Sequence, residues 1–172
     1  MDKWDLSVLF KNEEEFEKSL DKIQELGKLA ASYKGKLKDD TSLCEYFSCT
    51  RELSEILDRT YSYAHMASDL DRKDVKAMER LMRVFNIANE ISSETSFESP
   101  EIISIGKDKM IAFFKNHPDY SDFDFSILKL FDSSDHVLDD KSEKIISNYA
   151  MLERTGSELY GALTYGDGYN NT

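Results

Sequence analysis

The stretch DDTSLCEYFSCTRELSEILDRTYSYAHMAS, residues 39–68, decides the fold. Leu43, Phe47, Leu53, Leu57, Tyr61 and Ala64 recur along it at helical spacing. Asp39, Asp40, Thr41 and Ser42 supply the chemistry of a helix start, with Ser42 and Glu45 spaced as a capping box. Together they predict one helix running to about residue 68, roughly 40 Å long at 1.5 Å per residue. A helix of that length needs an antiparallel partner of like length.

Candidates flank it on both sides. Upstream, Asn12 reads as an N-cap ahead of Glu13, Glu14 and Glu15, whose carboxylates suit the positive end of a helix dipole. Phe16, Leu20, Ile23, Ala30 and Tyr33 then predict a first helix over about 12–34, stopped by Gly35. Downstream, after the polar break Asp69-Leu70-Asp71, the set Val75, Met78, Leu81, Met82, Phe85, Ala88 and Ile91 predicts a third helix to about residue 96. Short connections make neighbouring helices antiparallel, so the three are expected up-down-up, with Leu, Met and Phe in the seam.

The texture changes at residue 97. Ser99-Pro100-Glu101 sets Pro at a first helical position behind a Ser cap. Shorter helical pieces follow, broken near Asn116-His117-Pro118-Asp119 and near Asp132-Ser133-Ser134-Asp135. A long final helix is expected from about residue 140, carrying Ile145, Ile146, Tyr149, Leu152, Leu159, Tyr160 and Leu163. The fold class is thus all-α: a long-helix bundle over about 1–96 and a helical extension over about 97–172, read as a single domain.

Composition agrees. The 172 residues are 40% apolar and include ten Phe and nine Tyr, enough for a core, but only seven Gly and two Pro. So few turn residues argue against a many-stranded sheet. A net charge of −12 disfavours nucleic acid, where Lys and Arg must release counterions from phosphates, and disfavours an anionic membrane surface. Met1-Asp2-Lys3-Trp4-Asp5 does not read as a signal peptide, and no apolar run is long enough to span a bilayer. Cys44 and Cys49, five apart in a helix, point to different faces, which disfavours a disulfide or a shared metal. Both read as reduced thiols of a cytoplasmic protein.

The chain carries no complete catalytic site. His65, His117 and His136 do not form a His-Glu-x-x-His pair, and none has Glu three residues before it. His65 reads as a boundary residue with its ring against the third helix, and His117 as a solvent-facing turn residue. There is no Gly-rich phosphate loop, no Gly-x-Ser-x-Gly elbow, and no His near either Cys in sequence. With 34 Asp and Glu, adjacency of carboxylates identifies no acid/base pair. Asp69-Leu70-Asp71 and Asp119-Tyr120-Ser121-Asp122 lack the spacing of a calcium loop. Tyr46, Phe47, Tyr61 and Tyr63 are expected to be core and rim of the bundle, with a peptide groove as the competing reading. No residue is assigned a catalytic, cofactor-binding or metal-binding role.

Five short stretches, in order, carry a resemblance. Trp4-Asp5-Leu6-Ser7-Val8-Leu9-Phe10 resembles the Trp-Asp-Leu-Ser-x-Leu-(Tyr/Phe) opening of the oligoendopeptidase F family of bacterial zinc peptidases. Tyr33-Lys34-Gly35-Lys36-Leu37, Tyr61-Ser62-Tyr63-Ala64 and Phe97-Glu98-Ser99-Pro100-Glu101-Ile102 are similar to its Tyr-x-Gly-x-Leu, Tyr-x-Tyr-Ala and Phe-x-x-Pro-Glu-Ile elements. His136-Val137-Leu138 with Glu143 resembles its His-x-Leu-x-x-x-x-Glu turn, although Asp132 and Asp135 stand where the family has basic residues.

The resemblance implies the N-terminal helical domain of a longer cytoplasmic enzyme, a domain that roofs a channel and restricts substrates to short peptides. It places the zinc, held by His-Glu-x-x-His with a downstream Glu, in a C-terminal catalytic domain of the same polypeptide. That zinc would activate the attacking water. His136 would then be a structural hinge or second-layer residue and not a zinc ligand. Faces that pack on the catalytic part are expected around Tyr149, Leu159 and Tyr160, where their exposure would make the chain self-associate. The alternative is a stand-alone, non-enzymatic helical interaction module.

Overall fold

Asn12 opens the first helix as expected. Its extended backbone lets the side chain accept the N–H of Glu15, while the Glu15 carboxylate turns back to accept the N–H of Lys11. The structure is a computed structural model that describes residues 5–132 together with Ser142 and Ile145. Within them, a 3-10 turn Leu6–Val8 precedes six helices: α1 Glu13–Ala31, α2 Asp40–Leu70, α3 Val75–Glu94, α4 Glu98–Ile105, α5 Lys107–Asn116 and α6 Asp124–Asp132. A second 3-10 turn, Pro118–Tyr120, joins α5 to α6. The expected C-terminal helix, His136, Tyr149, Leu159 and Tyr160 lie outside the described residues. No described helix is long and apolar enough to cross a membrane.

Helix α1 ends earlier than its periodicity predicts. From Ser32 onward the N–H groups of Tyr33, Lys34 and Lys36 bond three residues back, so the last turn tightens to 3-10 geometry. Gly35, at φ +77°, then turns the chain towards α2. The α2 capping box also sits three residues earlier than expected. Asp39 is the N-cap and accepts the Ser42 N–H at 2.9 Å, while the Ser42 hydroxyl faces the Asp39 N–H. Glu45 is thereby free to accept the Tyr33 hydroxyl at 3.1 Å.

Three cross-contacts fix the direction of α1 against α2. Ser19 meets Thr60, Leu26 meets Cys49 and Tyr33 meets Glu45, so the two run antiparallel. Glu13 pairs with Arg80 and Glu17 with Arg83, so α3 runs parallel to α1. The up-down-up order holds. The lengths do not match, however: α2 has 31 residues, while α1 has 19 and α3 has 20. The first turns of α2 are covered instead by α4, α5 and α6. Phe47 packs on Phe113, Phe114, Tyr120 and Phe123, and Tyr46 on Phe97. Buried residues from both halves form one apolar cluster.

The seam of α3 matches the expected one only in part. Leu81 is buried and Phe85 and Ile91 pack against the core, but Ala77 and Val84 are buried too, whereas Val75, Met78 and Met82 are exposed. Helix α1 approaches α3 closely at Gly27, where an added Cβ would fall 2.5 Å from Ile91 Cγ1. The Ser-capped start expected for α4 is also shifted. The helix begins at Glu98, so Pro100 lies inside the first turn, where its missing N–H costs no helical bond.

Two carboxylates of α4 tie it to the bundle. Glu101 accepts the N–H groups of Gly35 and Leu37 from the α1–α2 turn. Glu98 accepts the hydroxyl of the fully buried Tyr46 at 2.6 Å. Burial pushes the Glu98 carboxyl above its usual range, and the Tyr46 hydrogen bond only partly opposes this.

Two outcomes follow. Gly27→Ala should destabilise the protein by about 1–3 kcal/mol through overpacking, despite a helix-propensity gain of about 1 kcal/mol. Urea unfolding of Gly27→Ala, Ile91→Ala and the double variant should show the pair costing less than the sum. For Glu98 the raised folded pKa means that stability is lost as pH rises from its ordinary value through the folded one, and the cost is complete above it. Glu98→Gln should therefore melt higher than the parent at pH 8, with the gap closing near pH 4.

Candidate functional site

The turn between α5 and α6 looks like a linker in the sequence, yet it carries the densest polar contacts of the fold. Asp40, Cys44, Ser48 and Arg51 recur at helical spacing and form one stripe along the start of α2. Each meets a group from the turn. His117 Nε2 lies 3.1 Å from Asp40 Oδ2, and its Nδ1 lies 3.7 Å from Cys44 Sγ. The Ser48 and Tyr120 hydroxyls are 2.8 Å apart. Arg51 donates two bonds to the Asp122 carboxylate and one to the Asp119 carbonyl, with its guanidinium over the Tyr120 and Phe123 rings. That fork holds Asp122 below the usual carboxylate range.

His117 is positioned by α5 and by Pro118. It caps the last turn of α5, its N–H bonding the Phe113 carbonyl at 2.9 Å, and its ring lies 4.8 Å from that of Phe113. It is therefore not the solvent-facing turn residue expected from sequence. With Nδ1 accepting from the thiol, Nε2 carries the ring hydrogen and donates to Asp40. The three side chains form a row of thiol, imidazole and carboxylate.

This row flanks an open cleft of about 410 Å³ between α1, α2 and the turn, lined by Leu29, Tyr33, Cys44, Glu45, Cys49 and Tyr120 among others. Both cysteines line this cleft, but their sulfurs point to different neighbours, in keeping with the different faces that the helical spacing predicts. They are free and differently held: Cys49 is buried and donates to the Leu26 carbonyl, while Cys44 is half-buried against His117. Burial pushes both thiols up. Burial and the neighbouring Glu45 push the Tyr33 phenol up as well.

The other sequence-stated candidates scatter. The His65 ring lies 5.4 Å from that of Tyr61, and its Nδ1 is 3.2 Å from Asp69, both on its own helix. Tyr46 and Phe47 are core residues, which removes them from any peptide groove, and Tyr63 packs against Phe10 and Phe16. Asp69 pairs with Arg72, and Asp71 accepts the N–H of Lys73. Among the described residues no three His, Cys, Asp or Glu side chains converge as metal ligands. The Cys44–His117 approach escaped the sequence because the two residues are 73 apart. Only the periodicity of Asp40, Cys44, Ser48 and Arg51 hinted that this face of α2 meets something polar.

Comparison with known proteins adds the family. The model of a family described as Oligopeptidase F matches residues 101–167. An oligoendopeptidase F homolog from Borreliella burgdorferi is 31% identical over 96% of this chain, which spans 28% of that relative. Oligopeptidase PepF from Bacillus subtilis is 28% identical over 96% of the chain, which spans 25% of it. The chain therefore covers roughly a quarter of the length of these relatives. In structure it is similar to the crystal structure of oligoendopeptidase-F from Enterococcus faecium, with a TM-score of 0.78 and 20% identity over 89% of this chain and 30% of that one. Taken together, the family match, the relatives and the shared fold support an N-terminal domain of the oligoendopeptidase F family.

Proposed function

We propose that the chain is the substrate-channel, or lid, domain of a cytoplasmic zinc metalloendopeptidase that hydrolyses short peptides. The observation that carries this reading is the match along 96% of the chain to relatives named as oligoendopeptidases, of which it spans about a quarter. The catalytic part would be a C-terminal domain of the same polypeptide. The domain would bind no catalytic metal itself and would act by shape, admitting short peptides and excluding folded ones.

Among the described residues no three His, Cys, Asp or Glu side chains converge as ligands for zinc. His65 is paired with Asp69 of its own helix. No hydrolytic step is therefore assigned to this chain. Support for a docking face comes from α3, which leaves Val75, Met78 and Met82 exposed at i, i+3 and i+7. An apolar stripe of this kind suits packing against further polypeptide of the parent enzyme.

The test uses the purified chain. Metal analysis after equilibration with zinc and dialysis should show less than stoichiometric metal, and a quenched heptapeptide should remain intact. Stoichiometric zinc or measurable hydrolysis would overturn the reading. The coding sequence downstream of Thr172 should continue in frame to His-Glu-x-x-His, and a stop codon there would favour a stand-alone interaction module.

A further inference from the structure

We propose that Cys44 is a site of reversible thiol modification, in which His117, oriented by Asp40, serves as the base for exchange with small cationic disulfides. Three observations meet here. Cys44 is half-buried and lines an open cleft, its sulfur lies 3.7 Å from His117 Nδ1, and the far nitrogen of that ring lies 3.1 Å from Asp40 Oδ2. This is the order nucleophile, base, orienting carboxylate, in which the base removes a proton and the carboxylate steadies the resulting imidazolium. Cys49 has no such partner. Its sulfur is buried and spent on the Leu26 carbonyl.

Desolvation holds the Cys44 thiol protonated, so the site is not a standing thiolate, and its reactivity depends on a base that acts during attack. As a disulfide R–S–S–R enters the cleft, the Cys44 S–H proton passes to His117 Nδ1. The sulfur attacks the nearer disulfide sulfur, the old S–S bond breaks, and the leaving thiolate recovers the proton as R–SH. The protein sulfur is oxidised and one half of the reagent is reduced, so atoms, electrons and charge balance.

The surroundings select the reagent. The charged or titratable groups around the thiol, the ring and the cleft are Asp40, Glu45, Arg51 and Glu52 of α2, Tyr33 of α1, and Tyr120 of the turn. The Arg51 charge is taken up by the Asp122 carboxylate. The cleft is therefore net acidic on a chain of net charge −12, and favours a cationic over an anionic disulfide.

The experiment measures mixed-disulfide formation at Cys44 in the whole chain, by peptide mass mapping. Cystamine is the cationic probe and a dicarboxylate aromatic disulfide the anionic one. Cys44 should react ahead of Cys49, and faster with cystamine once each rate is scaled to that of a free thiol. His117→Gln should slow Cys44 by about tenfold or more, and its pH–rate profile should lose an ionisation that the parent shows. Asp40→Asn, which keeps the imidazole beside the sulfur, should slow it several-fold and keeps the test open if His117→Gln fails to fold. An unchanged or faster rate in either variant would overturn the proposal, because His117 would then only cover the thiol. So would a scaled preference for the anionic probe.

Discussion

The structure depends on a mismatch of length. With 31 residues, α2 outruns α1 and α3, which have 19 and 20. Its early turns carry Leu43, Tyr46 and Phe47, which α1 and α3 cannot fully enclose. A buried Phe is worth about 1.5–3 kcal/mol over an exposed one, so leaving this end bare would consume much of a domain's marginal stability. Helices α4–α6 meet that need. Phe97, Ile102, Met110, Phe113, Phe114 and Ile127 join the same buried cluster. The second half is thus the cover of one end of a shared spine.

Polar contacts then set the registry of that cover. Glu101 holds the α1–α2 turn through two backbone N–H groups, Glu98 holds Tyr46, and Arg51 clamps the α5–α6 turn. Among the described residues no buried side-chain nitrogen or oxygen lacks a partner. The stretches resembling the family pattern gain a physical meaning from these contacts. Gly35 supplies the positive φ that presents two N–H groups to Glu101, and Phe97 and Ile102 fill the space beneath. In these two stretches the resembling residues act as structural couplings.

Much of this was legible in the sequence. Asn12 and the apolar stripes of α1 and α2 mark helices whose existence and order follow from local rules. The misread features depend on neighbours distant in the chain. Which apolar residues of α3 face inward is settled by packing against other helices, because Val75, Met78 and Met82 are as apolar as the residues that became buried. The capping box was placed at Ser42 and Glu45, but Glu45 is drawn to Tyr33 and Asp39 takes the cap. The row Cys44–His117–Asp40 was out of reach, since two helix ends must pack before it exists.

Native-state hydrogen exchange under rising urea tests the shared spine most directly. If the early turns of α2 and helices α4–α6 form one cooperative unit, amides of residues 43–52 and of 101–116 should lose protection along the same isotherm. Opening of α4–α6 at low urea, with residues 43–52 still protected to the global transition, would contradict the account.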